Sequence, residues 1–259
     1  MPLKSEPRRL TPWVASAMAL IGAGYLAYVV LLKEPEWDWG YRLTVTLSVD
    51  GKDISGSTVV RVHAQMQPHW LWHMGNPINC SAKGGAVYVD LGQSKNLILS
   101  YPYADASPCY LLAEQFGIEM GNWSSSDDKA DKIKFMDAVV GVHGGMHLDP
   151  KTVDLMVSND PKSRLWPSAV WRLVTFTNLN NPDSLTRLDP KNLGAVLGGV
   201  VTLKSVYVEA TDAPAEYEIL EHLPWLRTID RGHWERQIRT QNDQDDGFTT
   251  SSFFQGNVK

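Results

Sequence analysis

YRLTVTLSV, residues 41–49, followed by Asp50-Gly51, is the stretch whose pattern decides the fold. Leu43, Val45, Leu47 and Val49 alternate with Thr44, Thr46 and Ser48. A period of two puts the apolar side chains on one face of a half-buried strand. Asp50-Gly51 supplies the chemistry of a tight hairpin turn. Alternation resumes after Ser57 with Val60, Val62, Ala64 and Met66, so the two runs are read as an antiparallel pair. Val87, Val89 and Leu91 give a third strand, Gly92-Gln93-Ser94 a turn, and residues 97–101 a fourth strand.

The middle of the chain changes period. Residues 110–118 and 128–141 carry apolar positions at helical spacing, the second through Ile133, Met136, Val139 and Val140, with Asp127-Asp128 at its start to complement the helix dipole. Asp149-Pro150 and Asp189-Pro190 each read as a capping aspartate with proline in the first turn. Strands return at 170–177 and 201–208, where Val201 and Leu203 are out of phase with Val206 and Val208. That slip near Lys204-Ser205 predicts a β-bulge. The expected fold is α+β: a strand-dominated, mainly antiparallel domain over 41–228 with a few short helices. Residues 121–127, GNWSSSD, offer one place for a break. Residues 229–259 read as a polar tail, either flexible or docked as a late strand by Phe253 and Phe254.

Ahead of the domain, residues 13–32, WVASAMALIGAGYLAYVVLL, contain neither charge nor proline. As a helix they would extend roughly 30 Å, the thickness of a bilayer's hydrocarbon core. Basic residues Lys4, Arg8 and Arg9 precede the run. They keep a leader of residues 1–12 in the cytoplasm and export the domain, which is joined to the span by a linker at 33–40. A cleaved signal peptide is the rival reading, but the apolar run is longer than a usual signal core and its small residues lie inside it. The bilayer is therefore the first expected partner, contacted through 13–32. Ala15, Ala19, Ala23 and Ala27 recur every four residues, a stripe that suits self-association or a partner helix and is also common in unpaired spans.

A formal charge of −5 argues against nucleic acid as a partner. Ten tryptophans, among them the WLW run at 70–72, serve either a core or a stacking surface, and the core is the cheaper explanation. Cys80 and Cys109 are the only cysteines. In an oxidising compartment they invite a structural disulfide, with two buried thiols as the alternative.

Two histidine pairs sit four apart, His69 with His73 and His143 with His147. On an α-helix that spacing aligns two imidazoles for zinc, but Pro68 and Gly144-Gly145 argue against helices there. HExxH is absent. Gly141 to Gly145 is similar to an esterase oxyanion loop, yet no GxSxG elbow accompanies it, and there is no Walker loop or GxGxxG. No cofactor is called for. Two functions stay open: a non-catalytic interaction or scaffold module of the envelope, and a small-molecule hydrolase using the histidines.

Thr175-Phe176-Thr177, Asn181-Pro182, Asp189-Pro190, Gly198-Gly199, Leu203, Glu209, Thr211-Asp212, Pro214 and Pro224-Trp225-Leu226 succeed one another in a recognisable order. This quarter of the chain resembles an uncharacterised family of bacterial single-pass membrane-anchored proteins with the pattern VTFTxLNxP…DPxxL…LxxVxVExTDxP…LPWL. The resemblance implies a bacterial envelope protein whose LPWL segment ends the ordered domain, in a family with no assigned activity. With the charges flanking the anchor, the expected place is the inner membrane, with the domain in the periplasm or outside the cell.

Overall fold

The alternating run begins five residues before its sequence pattern becomes clear. Strand β1 (Glu36–Val49) buries Trp37, Trp39, Tyr41, Leu43, Val45 and Leu47 on one face. Its partner β2 (Lys52–Met66) is antiparallel along its length, from Glu36 opposite Gln65 to Val49 opposite Lys52. Asp50 (φ 48°) and Gly51 (φ 82°) both take the left-handed conformation that a two-residue hairpin needs. The structure is a computed structural model that describes residues 13, 16–24, 33–74, 77–100, 113, 116–118, 128–148, 172–229 and 253–255, the side chains of 70, 73, 74, 254 and 255 excepted.

The other described strands are β3 (Ile78–Gly85), β4 (Val87–Gly92), β5 (Lys95–Ser100), β6 (Gly145–Leu148), β7 (Arg172–Phe176), β8 (Leu185–Arg187), β9 (Val201–Ala210) and β10 (Phe254–Gln255). They form a six-stranded sheet, order β10-β3-β2-β1-β9-β6, and a four-stranded sheet, order β4-β5-β7-β8. Every pairing is antiparallel. The strand-rich α+β expectation holds. So does the bulge: Thr46 faces Ser205 and Leu47 faces Leu203, which leaves Lys204 as the extra residue.

One core fills the space between the sheets, with Leu43, Val45, Leu47, Val60 and Val62 meeting Val87, Val89, Leu97, Leu99 and Leu173. Helix α1 (Lys129–Val140) extends this core with Phe135, Met136 and Val139 beside Trp37, Trp39 and Trp72. Asp128 caps α1 by accepting from the Ala130 amide at 2.8 Å. The small sheet is buried on its second face too, where Tyr88, Ile98, Val174 and Phe176 pack against Ile219, Leu220, Leu223, Leu226 and Phe253. A strand apolar on both faces loses its alternation, as in Leu97-Ile98-Leu99. Asn96 is fully buried there. Its amide donates to the Phe176 carbonyl at 2.8 Å and accepts from the Phe176 amide at 3.0 Å, so the buried polar group is satisfied.

Several expectations are corrected. β3 carries no alternation legible in the sequence and was not expected as a strand; Cys80 lies on it opposite Ala64. Asp189-Pro190 does not start a helix directly: Asp189 accepts from the Lys191 amide in a turn, and helix α2 (Gly194–Leu197) begins one turn later. Residues 36–40, read as linker, are already strand. The fold does not end at LPWL, since Phe253 is buried and Phe254 and Gln255 pair with Gly85 and Gly84. The break considered at 121–127, most of the 110–118 helix, Asp149-Pro150 and the leader lie outside the described residues.

Residues 16–24 are helical, with Met18, Leu20 and Ile21 64–75 % exposed. Among the described residues no helix is long and apolar enough to cross a membrane.

Candidate functional site

Polar residues of the alternating strands collect on the outer face of the six-stranded sheet. Arg42 on β1 lies opposite Val59 on β2 and Glu209 on β9. Its guanidinium is 3.7 Å from a Glu209 oxygen, 3.4 Å from a Glu216 oxygen and 3.4 Å from the Ser57 hydroxyl. Arg61 donates to the Thr211 carbonyl at 3.2 Å and lies 3.8 Å from Asp212. Asp38 and His63 pair at 3.1 Å further along. These groups keep about a third or more of their side-chain surface, so each pair contributes at most about 1 kcal/mol.

The arginines are held by a strap. Residues 211–217 leave β9, cross the outer face and pass on toward the small sheet. The Thr211 amide donates to the Gly40 carbonyl at 3.0 Å, the Glu216 amide to Val59 at 3.0 Å, and the Gly85 amide to Glu216 at 2.7 Å. Gly40 is required beneath it, because a Cβ there would lie 2.7 Å from the Thr211 carbonyl. Beyond the strap, helix α3 (Ile219–His222) and the 3-10 turn Pro224–Arg227 carry the LPWL segment. Leu223 and Leu226 are buried, and the Trp225 indole donates to the Leu179 carbonyl at 2.7 Å. The TDxP and LPWL residues thus act in wrapping and closing the sandwich.

Burial raises the tyrosines inside it: Tyr41 and Tyr217 upward, and Tyr88 to about 12, where Asp90 and Glu218 add to the desolvation. Tyr88 also stacks on His222 at 3.7 Å between ring centroids.

The four candidate histidines divide between two places. His69 is exposed on a 3-10 turn, His69–Met74, with its ring 4.6 Å from that of Trp72. At three residues per turn, positions four apart do not share a face, so His69 and His73 lack the alignment of an α-helical pair. His143 is exposed in the loop after α1, and His147 is exposed on β6 with its ring 4.8 Å from Tyr207. The HGG run has a packing reason. Gly144 has φ 83°, and a Cβ on Gly145 would lie 2.3 Å from the Tyr207 hydroxyl. Among the described residues no group of three or more His, Cys, Asp or Glu is placed to hold a metal ion.

Cys80 is partly buried on β3 against the main core, and Cys109 lies outside the described residues, as does the pairing expected of them. Of the alanine stripe, Ala19 and Ala23 are exposed on the helical stretch, while Ala15 and Ala27 lie outside the described residues. Trp37, Trp39 and Trp72 are buried, so for these three the core reading holds.

The end of the sheet nearest residue 33 is tied down. The Met66 amide donates to the Pro35 carbonyl at 2.9 Å, Glu34 pairs with Lys129 at the start of α1, and Lys33 lies 3.6 Å from Glu36. The Trp37 indole donates to Asp137 at 2.8 Å, and Lys132 sits 5.4 Å over the Trp72 ring. Arg42, Arg61 and the Glu34–Lys129 pair were not legible as partners in the sequence, because cross-strand register and the strap's path decide them. No family model, curated protein or solved structure matches this chain.

Proposed function

We propose that this protein is a single-pass, membrane-tethered envelope protein whose β-domain is an interaction or scaffold module. The supporting observation is the N-terminal helical stretch 16–24, whose apolar side chains stay exposed inside an uncharged run of twenty residues. Exposed apolar helices of this kind need a nonpolar solvent or partner. The basic leader directs the domain to the periplasmic side of the inner membrane, and a bridge between Cys80 and Cys109 suits that oxidising compartment. The sheet edges supply a means of interaction: β6 pairs only four residues of β9, which leaves Val201 to Ser205 open on that side among the described residues.

Topology is tested by reporters fused after Lys259. Active alkaline phosphatase with a dark cytoplasmic fluorescent fusion is the expected pair of results. The reverse pair would overturn the reading. Crosslinking and affinity capture from intact cells test the module role, with recovery of lipid and the chain alone counting against it.

A further inference from the structure

We infer that the 3-10 turn His69–Met74 rests in the headgroup layer of the bilayer and holds the domain down on the membrane surface. The inference rests on the tether proposed above and adds a second contact to it. Its basis is the shortness of the connection.

The apolar run ends at Leu32, and the fold already grips the chain at Glu34 and Pro35, through Lys129 and through the Met66 amide. Two residues reach at most about 7 Å. The headgroup layer on one side of a bilayer is roughly 5–7 Å deep. The gripped end of the sheet therefore cannot stand clear of the lipid. Strand direction then decides which part meets it. β1 runs away from the tether, so its antiparallel partner β2 returns toward it and ends at Met66, beside Pro35. The residues after Met66 overhang the sheet on the membrane side.

That overhang carries HWLWHM, residues 69–74. The Gln67 amide donates to the Pro77 carbonyl at 2.8 Å and closes the neck of this excursion. The Trp72 indole donates to the Gln67 carbonyl at 2.8 Å, and the Leu71 amide to Pro68 at 2.8 Å, which fixes the turn against the neck. Trp72 is buried under Lys132, Leu71 is half-buried and His69 is exposed. A short turn of apolar and aromatic sequence, with Leu71 half-exposed and His69 exposed, suits the interface, where such residues partition. The charges beside it are paired, Lys33 with Glu36 and Lys129 with Glu34, so the contact is one of insertion and not of attraction to anionic lipid.

The full chain, reconstituted in phosphatidylcholine vesicles carrying nitroxide headgroups, provides the test. A thiol-reactive environment-sensitive fluorophore is placed at Leu71→Cys, at His69→Cys and at Lys52→Cys, without reductant and beside an unsubstituted control. Position 52, the first residue of β2, lies opposite Val49 at the far end of the hairpin, roughly 43 Å of strand away. Labels at 71 and 69 should emit to the blue of the label at 52 and lose at least half of their emission to the nitroxide, with no loss at 52. The two near sites guard against one substitution disturbing the turn. Emission at both 69 and 71 matching that at 52, in protein that resists alkaline carbonate extraction, would overturn the docking while the tether stands. Protein released by carbonate would overturn both.

Discussion

Replacing Phe253 by alanine tests how the end of the chain is held. The ring is fully buried between the small sheet and the LPWL segment, 5.8 Å from Phe176 between centroids. Phenylalanine-to-alanine changes at such sites cost about 3–5 kcal/mol, as lost transfer energy plus the residual cavity. Here the cost has a ceiling, because a short terminal segment can undock instead of bridging a cavity. The ceiling is the quantity that truncation after residue 252 measures. Truncation removes the ring, the pairing of Phe254 and Gln255 with β3, and the acceptor of the Ala86 amide, which donates to the Phe253 carbonyl at 2.7 Å. Leaving that buried amide unpaired adds about 1–3 kcal/mol. The expected order is thus Phe253→Leu at roughly 1 kcal/mol, Phe253→Ala at about 3 kcal/mol, and truncation higher still. For a domain of this size 3 kcal/mol lowers Tm by about 6–12 °C. Urea and thermal unfolding of the full chain, followed by tryptophan fluorescence, gives all three. A Phe253→Ala stability within about 0.5 kcal/mol of the parent, the range of an ordinary surface change, would refute the docking of this segment.

Gly56→Ala should destabilise by about 1–3 kcal/mol, since its Cβ would lie 1.9 Å from the Tyr88 carbonyl oxygen, a backbone atom. Gly24→Ala, with nothing within 4 Å, is the neutral control in the same melts. If Cys109 is the bridge partner of Cys80, unreduced protein takes up no alkylating reagent when denatured, and reduction costs about 3–4 kcal/mol for a loop of roughly thirty residues. Uptake at both positions would reject the pairing. The Tyr88 phenol, pushed up to about 12, makes stability fall with rising pH. The folded state holds its proton where the unfolded chain, near 10, has lost it. This contribution is full below pH 10 and lost between 10 and 12, and Tyr88→Phe should flatten the decline in alkaline denaturation curves.

Residues whose environment is set by one neighbour were legible in the sequence. Leu43 to Val49 alternate because one face is buried, Asp50-Gly51 turn because both residue types adopt the left-handed backbone at little cost, and Lys204 slips the phase of its own strand. Residues set by distant partners were not. β3 reads as INCSAKGG, since it lies near the sheet edge and needs few apolar groups, and Gly84 is admitted because a Cβ would lie 2.7 Å from the Val59 carbonyl. The tail was legible only as one of two alternatives, and of these the late strand docked by its phenylalanines is the one observed. The histidine pairs were legible for the same local reason: Pro68 and Gly144-Gly145 argue against α-helices there, and one pair sits on a 3-10 turn and the other on loop and strand.

The polar outer face and the tether share one strand, and this bears on how the domain would carry load. β1 comes directly after the proposed anchor and is internal to the six-stranded sheet, paired along fourteen residues with β2 and over nine with β9. Force entering at Lys33 would meet the Glu34 and Pro35 contacts first, then the β2 ladder and, from Tyr41, the β9 ladder as well, whose hydrogen bonds lie perpendicular to the pull and are loaded in shear. An edge strand would offer a single ladder. Arg42 adds cross-links to β9 and the strap at the middle of that path, through Glu209 and Glu216. Each pair is weak by itself at this exposure. Their placement joins β1 to the segment that closes the sandwich, so under the proposed tether a partner bound to the domain would be coupled to the membrane through the interior of the fold and not through a peripheral loop.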